Sequence, residues 1–172
     1  MSAAYRFRQG VRALVAWARP VDDALARAHL APPLYPLYRR MRRAERQHSL
    51  RVLRDLLAAG HTHPDLLAAA LLHDVGKSGV RFSLLEKVLV VLVKAFAPQR
   101  YRAWSSSQAH GWHLPFAVSG QHPAWGAEMA ERAGAPPLTV ALIRRHADPP
   151  SDPPRDETER LLLALQAVDD RN

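Results

Sequence analysis

The residues from Leu66 to Leu72, Leu-Leu-Ala-Ala-Ala-Leu-Leu, carry no polar side chain, and no other segment constrains the fold as tightly. Pro64 stands at a first-turn position and Gly76 supplies a stop, so the run reads as a short helix. A helix that is apolar on every side has to be covered on every side, which places it in the middle of a bundle. It ends on His73 and Asp74, two ionisable residues at the end of the most thoroughly apolar element.

Around this run the chain supports helices and no strands: apolar and polar residues do not alternate over any useful length, and there is no internal repeat. Phe7, Val11, Leu14, Val15 and Ala18 form a helical stripe that Pro20 stops. A second short helix is expected from Val21 to Leu30, before Pro32-Pro33, and a long one from Leu34 to Ala59 with Gly60 as its C-cap. Residues 81–97 read as a helix ended near Pro98, with a further short one at Tyr101–Trp104. The Ser and Gly content of 105–121 reads as loop, followed by helices over Pro123–Ala133 and Pro137–Ala147. Four prolines within 148–155 exclude a helix there. The last helix starts near Asp156, with Asp156, Glu157 and Glu159 at its positive end. The expected fold class is therefore all-α, with residues 1–33 as a helical extension before a domain over 34–172.

At 172 residues and 48% apolar composition, the chain suits one domain with a proper core. It has no cysteine, which excludes disulfides, thiolate metal sites and cysteine nucleophiles, and suits a reducing cytoplasm. Any metal must then sit on His, Asp or Glu, and nine histidines are present. The net charge of +8 comes mostly from arginine, densest at Arg39, Arg40, Arg42, Arg43, Arg46, Arg51 and Arg54. Such a surface suits phosphorylated metabolites, nucleic acid or acidic lipid, or is simply a solvated helix face. No nucleic-acid-binding motif accompanies it.

No secretory signal is visible, because Arg6, Arg8, Arg12 and Arg19 interrupt the apolar residues at the N-terminus. The most apolar stretch, Val88–Val93, is too short for a transmembrane segment and is flanked by Lys87 and Lys94. Its helix is open to three positions: buried, facing a partner such as a second copy in a homodimer, or lying on a membrane surface.

Several ionisable residues fall on apolar faces. His48 shares a stripe with Val52 and Leu56; His146 follows Leu142 and Ile143 by four and three residues; Asp169 continues Leu161 and Leu165. Buried carboxylates are normally paired or metal-bound, so this recurrence across helices points to a shared centre. His122, beside Pro123, reads as an N-cap when taken alone.

In this order the residues resemble the HD superfamily of metal-dependent phosphohydrolases. The match consists of His48 within Gln47-His-Ser-Leu-Arg-Val52, the doublet within Leu72-His-Asp-Val-Gly-Lys77, and the final Asp169. His122, in His-Pro-Ala-Trp-Gly-Ala127, and His146, in Leu142-Ile-Arg-Arg-His146, are similar to the extra histidines of the dinuclear branches. The resemblance spans roughly residues 45–170. It implies an HD-domain helical bundle in which His48, His73, Asp74 and Asp169 hold one metal and Asp74 bridges to a second on His122 and His146. One or two divalent transition metals (Fe, Mn, Co, Ni or Zn) fit such ligands. Asp74 and Lys77 would serve catalysis, with Lys77 on the phosphate of a phosphorylated small molecule such as a nucleotide. Arg144 and Arg145, which flank His146, are candidates to clamp a second phosphate or are plain surface arginines.

The segment after His146 lacks the Gly-Tyr-Pro string of the cyclic-di-GMP phosphodiesterase branch. The His-Pro-x-x-Gly-Ala and Ile-Arg-x-His segments are similar to those of the branch that splits dinucleoside tetraphosphates. Trp104, Trp112, Phe116 and Trp125 are candidates to wall a base pocket, and His110 or His113 to supply a further ligand. Two other readings are a regulatory module that binds a nucleotide or polyanion without turnover, and a di-iron oxygenase.

Overall fold

A computed structural model of the chain describes residues 20–81, 83–151 and 153–172. The helix expected over Phe7–Ala18 lies outside the described residues. The others form nine α-helices and two 3-10 turns, with no strand among them. The chain is all-α.

Helix α1 (Asp23–His29) is capped by Asp22, whose side chain accepts from the Leu25 amide at 3.1 Å. Ala26 and Leu30 enter the same apolar core as the rest of the bundle. The arginine run reaches back onto this helix: Arg39 and Arg46 both pair with Asp23, the latter at 3.0 Å, and Arg54 pairs with Asp22 at 3.0 Å. Much of the apparent basic face thus clamps α1 down.

The helix expected from Leu34 to Ala59 is two helices, α2 (Tyr35–Arg40) and α3 (Arg43–Ala58). Met41 is extended (φ −66°, ψ 146°) and buried, and the Glu45 carboxylate accepts from the Arg42 amide at 2.9 Å. A buried Met41 and a glutamate cap break the helix where no glycine or proline announces it. Helix α4 (Pro64–Leu72) is the central element, with every residue from Leu66 to Leu72 buried, and α3, α8 (Pro137–Arg145) and α9 (Glu157–Asp169) pack round it.

Helices α5 (Leu84–Phe96) and α6 (Pro98–Ser105) precede α7 (Leu114–Arg132), which corrects the reading of 105–121 as loop. Only 106–113 is irregular, with a 3-10 turn at Gly111–His113. Pro115, not Pro123, stands in the first turn of α7. The small polar residues that resemble loop composition are contacts with α6. A Cβ on Gly120 would lie 2.6 Å from the Ser105 Cβ, Ser119 meets the Tyr101 hydroxyl at 2.9 Å, and Gln121 Nε2 donates to the Ser105 and Ser107 carbonyls at 2.7 and 2.9 Å. No helix among the described residues is long and apolar enough to cross a membrane.

The crossing that positions everything else is between α7 and the 3-10 turn Val75–Lys77 after α4. A Cβ on Gly76 would lie 2.0 Å from the His122 carbonyl oxygen and 2.8 Å from the Gly126 nitrogen. A Cβ on Gly126 would meet the Gly76 nitrogen at 3.1 Å and Val75 Cγ1 at 3.2 Å. Gly76 is needed for space, since its φ is not positive. Gly76→Ala is therefore expected to destabilise the protein by at least ~2 kcal/mol, because backbone cannot yield as a side-chain tip can. Gly126→Ala should cost less, and urea unfolding followed by circular dichroism would rank the two.

Candidate metal centre

Five segments deliver six donor side chains to one end of the bundle. His48 comes from α3, His73 from the C-cap of α4, Asp74 from the junction before the 3-10 turn, His122 from the middle of α7, His146 from the C-cap of α8 and Asp169 from the last residue of α9. The N-cap position expected for His122 is corrected: it lies inside a helix and is buried.

Three imidazoles are anchored in the same way. His73 Nδ1 lies 3.0 Å from the Ala70 carbonyl and His146 Nδ1 lies 2.7 Å from that of Ile143. His122 Nδ1 lies 2.9 Å from the Val118 carbonyl and 3.2 Å from that of Ser119. A ring nitrogen facing a carbonyl must donate its N–H, so Nδ1 is the anchoring nitrogen and each Nε2 is the one aimed inward. Pro123 has no N–H to offer the Ser119 carbonyl four residues back, which leaves that oxygen for His122.

The inward donors are spaced as ligands. His48 Nε2 meets Asp169 Oδ1 at 2.8 Å, and His73 Nε2 lies 3.5 Å from the same oxygen. Asp74 Oδ1 lies 3.4, 3.7 and 3.8 Å from Nε2 of His122, His73 and His146. His122 and His146 face each other Nε2 to Nε2 at 3.2 Å. Metal bonds of about 2.1 Å put neighbouring ligand atoms about 3 Å apart, close to these separations. The donors fall into two groups that could each hold a metal ion, His48–His73–Asp169 and Asp74–His122–His146.

Without a cation the arrangement is unfavourable. His73 Nε2 is buried with no hydrogen-bond partner, and the Nε2 atoms of His122 and His146 face one another. Burial, with His73 close by, lowers His146 to about 3, so this ring is neutral at ordinary pH. Burial alone would raise the Asp74 carboxyl, but His73, a His122 hydrogen bond and Lys77 hold it well below the usual carboxylate range. At Asp169 the His48 hydrogen bond and His73 similarly outweigh burial. A neutral His146 and ionised Asp74 and Asp169 are in the protonation states that coordination needs. The residues present fit a divalent metal.

Clefts open on both sides of the centre. One, of about 490 Å³, is lined by Arg42, Glu45, Lys77 and Lys87 on its polar side and by Val90, Pro115 and Val118 on its apolar side. The other, of about 500 Å³, includes Lys77, Lys94, Asp148 and Asp170. Asp74 and His122 border both, and the Lys77 ammonium sits 2.7 Å from Asp74 Oδ1.

Arg144 and Arg145 are not brought to either cleft. Arg144 faces Glu131 at 3.9 Å, and Arg145 lies 3.4 Å from Glu159 and 3.7 Å from Asp148. Trp104, Trp112 and Phe116 pack edge-on against one another at 4.9–6.4 Å between centroids, and His113 lies against Trp112. Neither His110 nor His113 joins a donor group. Arg42, Lys87 and Lys94 are the cleft cations that the sequence reading missed. For Arg42 the signal was its place six residues before His48; for the two lysines there was none, because α5 reads as an apolar helix.

The HD domain family model matches residues 46–170. No curated protein and no solved structure matches the chain.

Two outcomes follow. A divalent ion at one hundred times its dissociation constant should stabilise the stripped protein by about 2.7 kcal/mol, which is roughly 5–11 °C in Tm at this size. His122→Ala and His146→Ala should lose most of that gain while Arg144→Ala keeps it, as read by differential scanning calorimetry with Mn²⁺. Metal-free stability should also fall as pH drops from ~6.5 toward about 3, because His146 binds its proton more readily unfolded than folded. His146→Leu should flatten that slope.

Proposed function

This chain belongs to the HD domain family, and we propose that it is a phosphohydrolase that cleaves a phosphoester or phosphoanhydride of a nucleotide-like substrate. The observation that carries this reading is the convergence of six metal-competent donors beside two clefts, both bordered by Lys77.

His48, His73 and Asp169 would hold one divalent cation and Asp74, His122 and His146 a second, with Asp74 facing both sets. A bound cation of this kind acidifies water and neutralises phosphoryl oxygens. The chain's own part is to fix and to orient. The Nδ1 anchors to Ala70, Val118 and Ile143 hold the rings against rotation, as outer-shell hydrogen bonds at metal ligands do. Lys77 borders both clefts, where its ammonium can meet a phosphoryl oxygen or donate a proton to the departing oxygen. Its contact with Asp74 keeps it in place.

Lys87 lies away from the centre along the same cleft and suits a further phosphate, whereas the Arg42 guanidinium beside it is paired with Glu45. Val90, Pro115 and Val118 supply an apolar wall for the organic part of the substrate. The ion pairs of Arg39, Arg46 and Arg54 with α1 weigh against the alternative of a polyanion-binding module built on the arginine run.

The test is phosphate release from a panel of nucleoside phosphates, dinucleoside polyphosphates and cyclic nucleotides with Mn²⁺. Turnover of at least one member is expected. Asp74→Asn and Lys77→Ala should lower kcat by about 10²–10³-fold, the usual loss of one transition-state contact. No turnover across the panel by a protein shown to carry metal would reject the hydrolytic reading.

A further inference from the structure

Helix α5 is covered on one side only. Glu86, Val90, Val93 and the following Ala97 are half-buried against the bundle, and no α5 side chain that is described is fully buried. Six of the seven large apolar side chains left exposed in the described residues lie on this one helix: Leu85, Val88, Leu89, Val91, Leu92 and Phe96. Leu85, Leu89, Leu92 and Phe96 follow helical spacing and form a single outward stripe, most exposed at its two ends, with Leu85 at 81% and Phe96 at 83%. A contiguous stripe of this kind on a soluble-type bundle marks a docking surface.

The charge around the stripe identifies the partner. From Arg81 to Ser105 there are five cations, Arg81, Lys87, Lys94, Arg100 and Arg102, all exposed, against one acid, Glu86. That acid is turned to the helix end, where it accepts from the Ser83 amide and hydroxyl at 2.7 Å. The whole chain carries +8. Two copies joined stripe to stripe would bring two such cationic sets together, which opposes self-association. An anionic lipid surface meets both features at once, taking the apolar residues into its acyl boundary and Arg81, Arg100 and Arg102 against its headgroups. At 13 residues, α5 is about 20 Å long, shorter than the hydrocarbon core, so it would lie in the plane of the surface.

We infer that α5 docks the protein on an anionic membrane surface, with its Leu85–Phe96 stripe inserted and Arg81, Arg100 and Arg102 at its ends. Lys87 and Lys94 stay on the side of the clefts they line, so docking sets the metal centre beside the lipid.

The test is co-sedimentation of the full chain with vesicles of equal parts phosphatidylglycerol and phosphatidylcholine, against vesicles of phosphatidylcholine alone. Binding is expected to the anionic vesicles at low salt, falling at least roughly tenfold at high salt through screening. Leu89→Glu combined with Phe96→Glu should lower it at least roughly tenfold with the helical circular dichroism retained. The single variant Phe96→Trp should add blue-shifted emission over the wild type on anionic vesicles alone. A wild type that stays in the supernatant at low salt overturns the inference. So does a Phe96→Trp emission unchanged by vesicles, or a dimer in sedimentation velocity that Leu89→Glu dissolves, which assigns the stripe to a second copy. None of these readouts involves hydrolysis, so failure here is separate from failure of the catalytic reading.

Discussion

The contact between Gly76 and Gly126 is the constraint on which the centre depends. Two backbones meet there with no room for a single methyl group, so the turn after α4 lies directly against α7. Asp74 and Lys77 flank one of these glycines in sequence, and His122 stands one helical turn before the other. The separation of 3.4 Å between Asp74 Oδ1 and His122 Nε2 follows from that approach, because neither side chain is long enough to bridge a wider crossing.

The centre lowers the stability of the bundle that supports it. His73, Asp74, His122 and His146 are all buried, where apolar residues of similar volume would pack without any desolvation cost. The face-to-face Nε2 atoms of His122 and His146 add to that cost until a cation lies between them. Stability comes from elsewhere: the apolar α4, the glycine crossing, the clamp of Arg39, Arg46 and Arg54 on α1, and the ties from Glu159 to Arg145 and Arg155. The division is physical, with an apolar scaffold on one side and a buried polar cluster on the other.

Much of this was legible in the sequence where a residue type has one structural use. Leu66–Leu72 could only be a covered helix, Pro64 and Asp156 mark helix starts, and His73-Asp74 at the end of an apolar run could only be buried polar groups. The misses arise where one residue type has several uses. Pro123 looks like a helix start but sits inside α7 and frees a carbonyl for His122; Ser119, Gly120 and Gln121 look like loop but pack α7 on α6. The break at Met41 has no local marker, because it is made by a buried side chain and a glutamate cap. Arg144 and Arg145 were placed at the site by adjacency to His146, but successive helix residues point about 100° apart, and both reach other carboxylates.

The most direct measurement is anomalous diffraction from crystals grown with Mn²⁺ or Zn²⁺, which locates each ion independently of any assay. Peaks are expected about 2.0–2.2 Å from the Nε2 atoms of His48 and His73, and of His122 and His146, with a carboxylate oxygen of Asp74 in the coordination sphere. Density maps in which the six side chains surround no anomalous peak, or in which the imidazoles have rotated to pair with one another, would contradict a cation-filled centre.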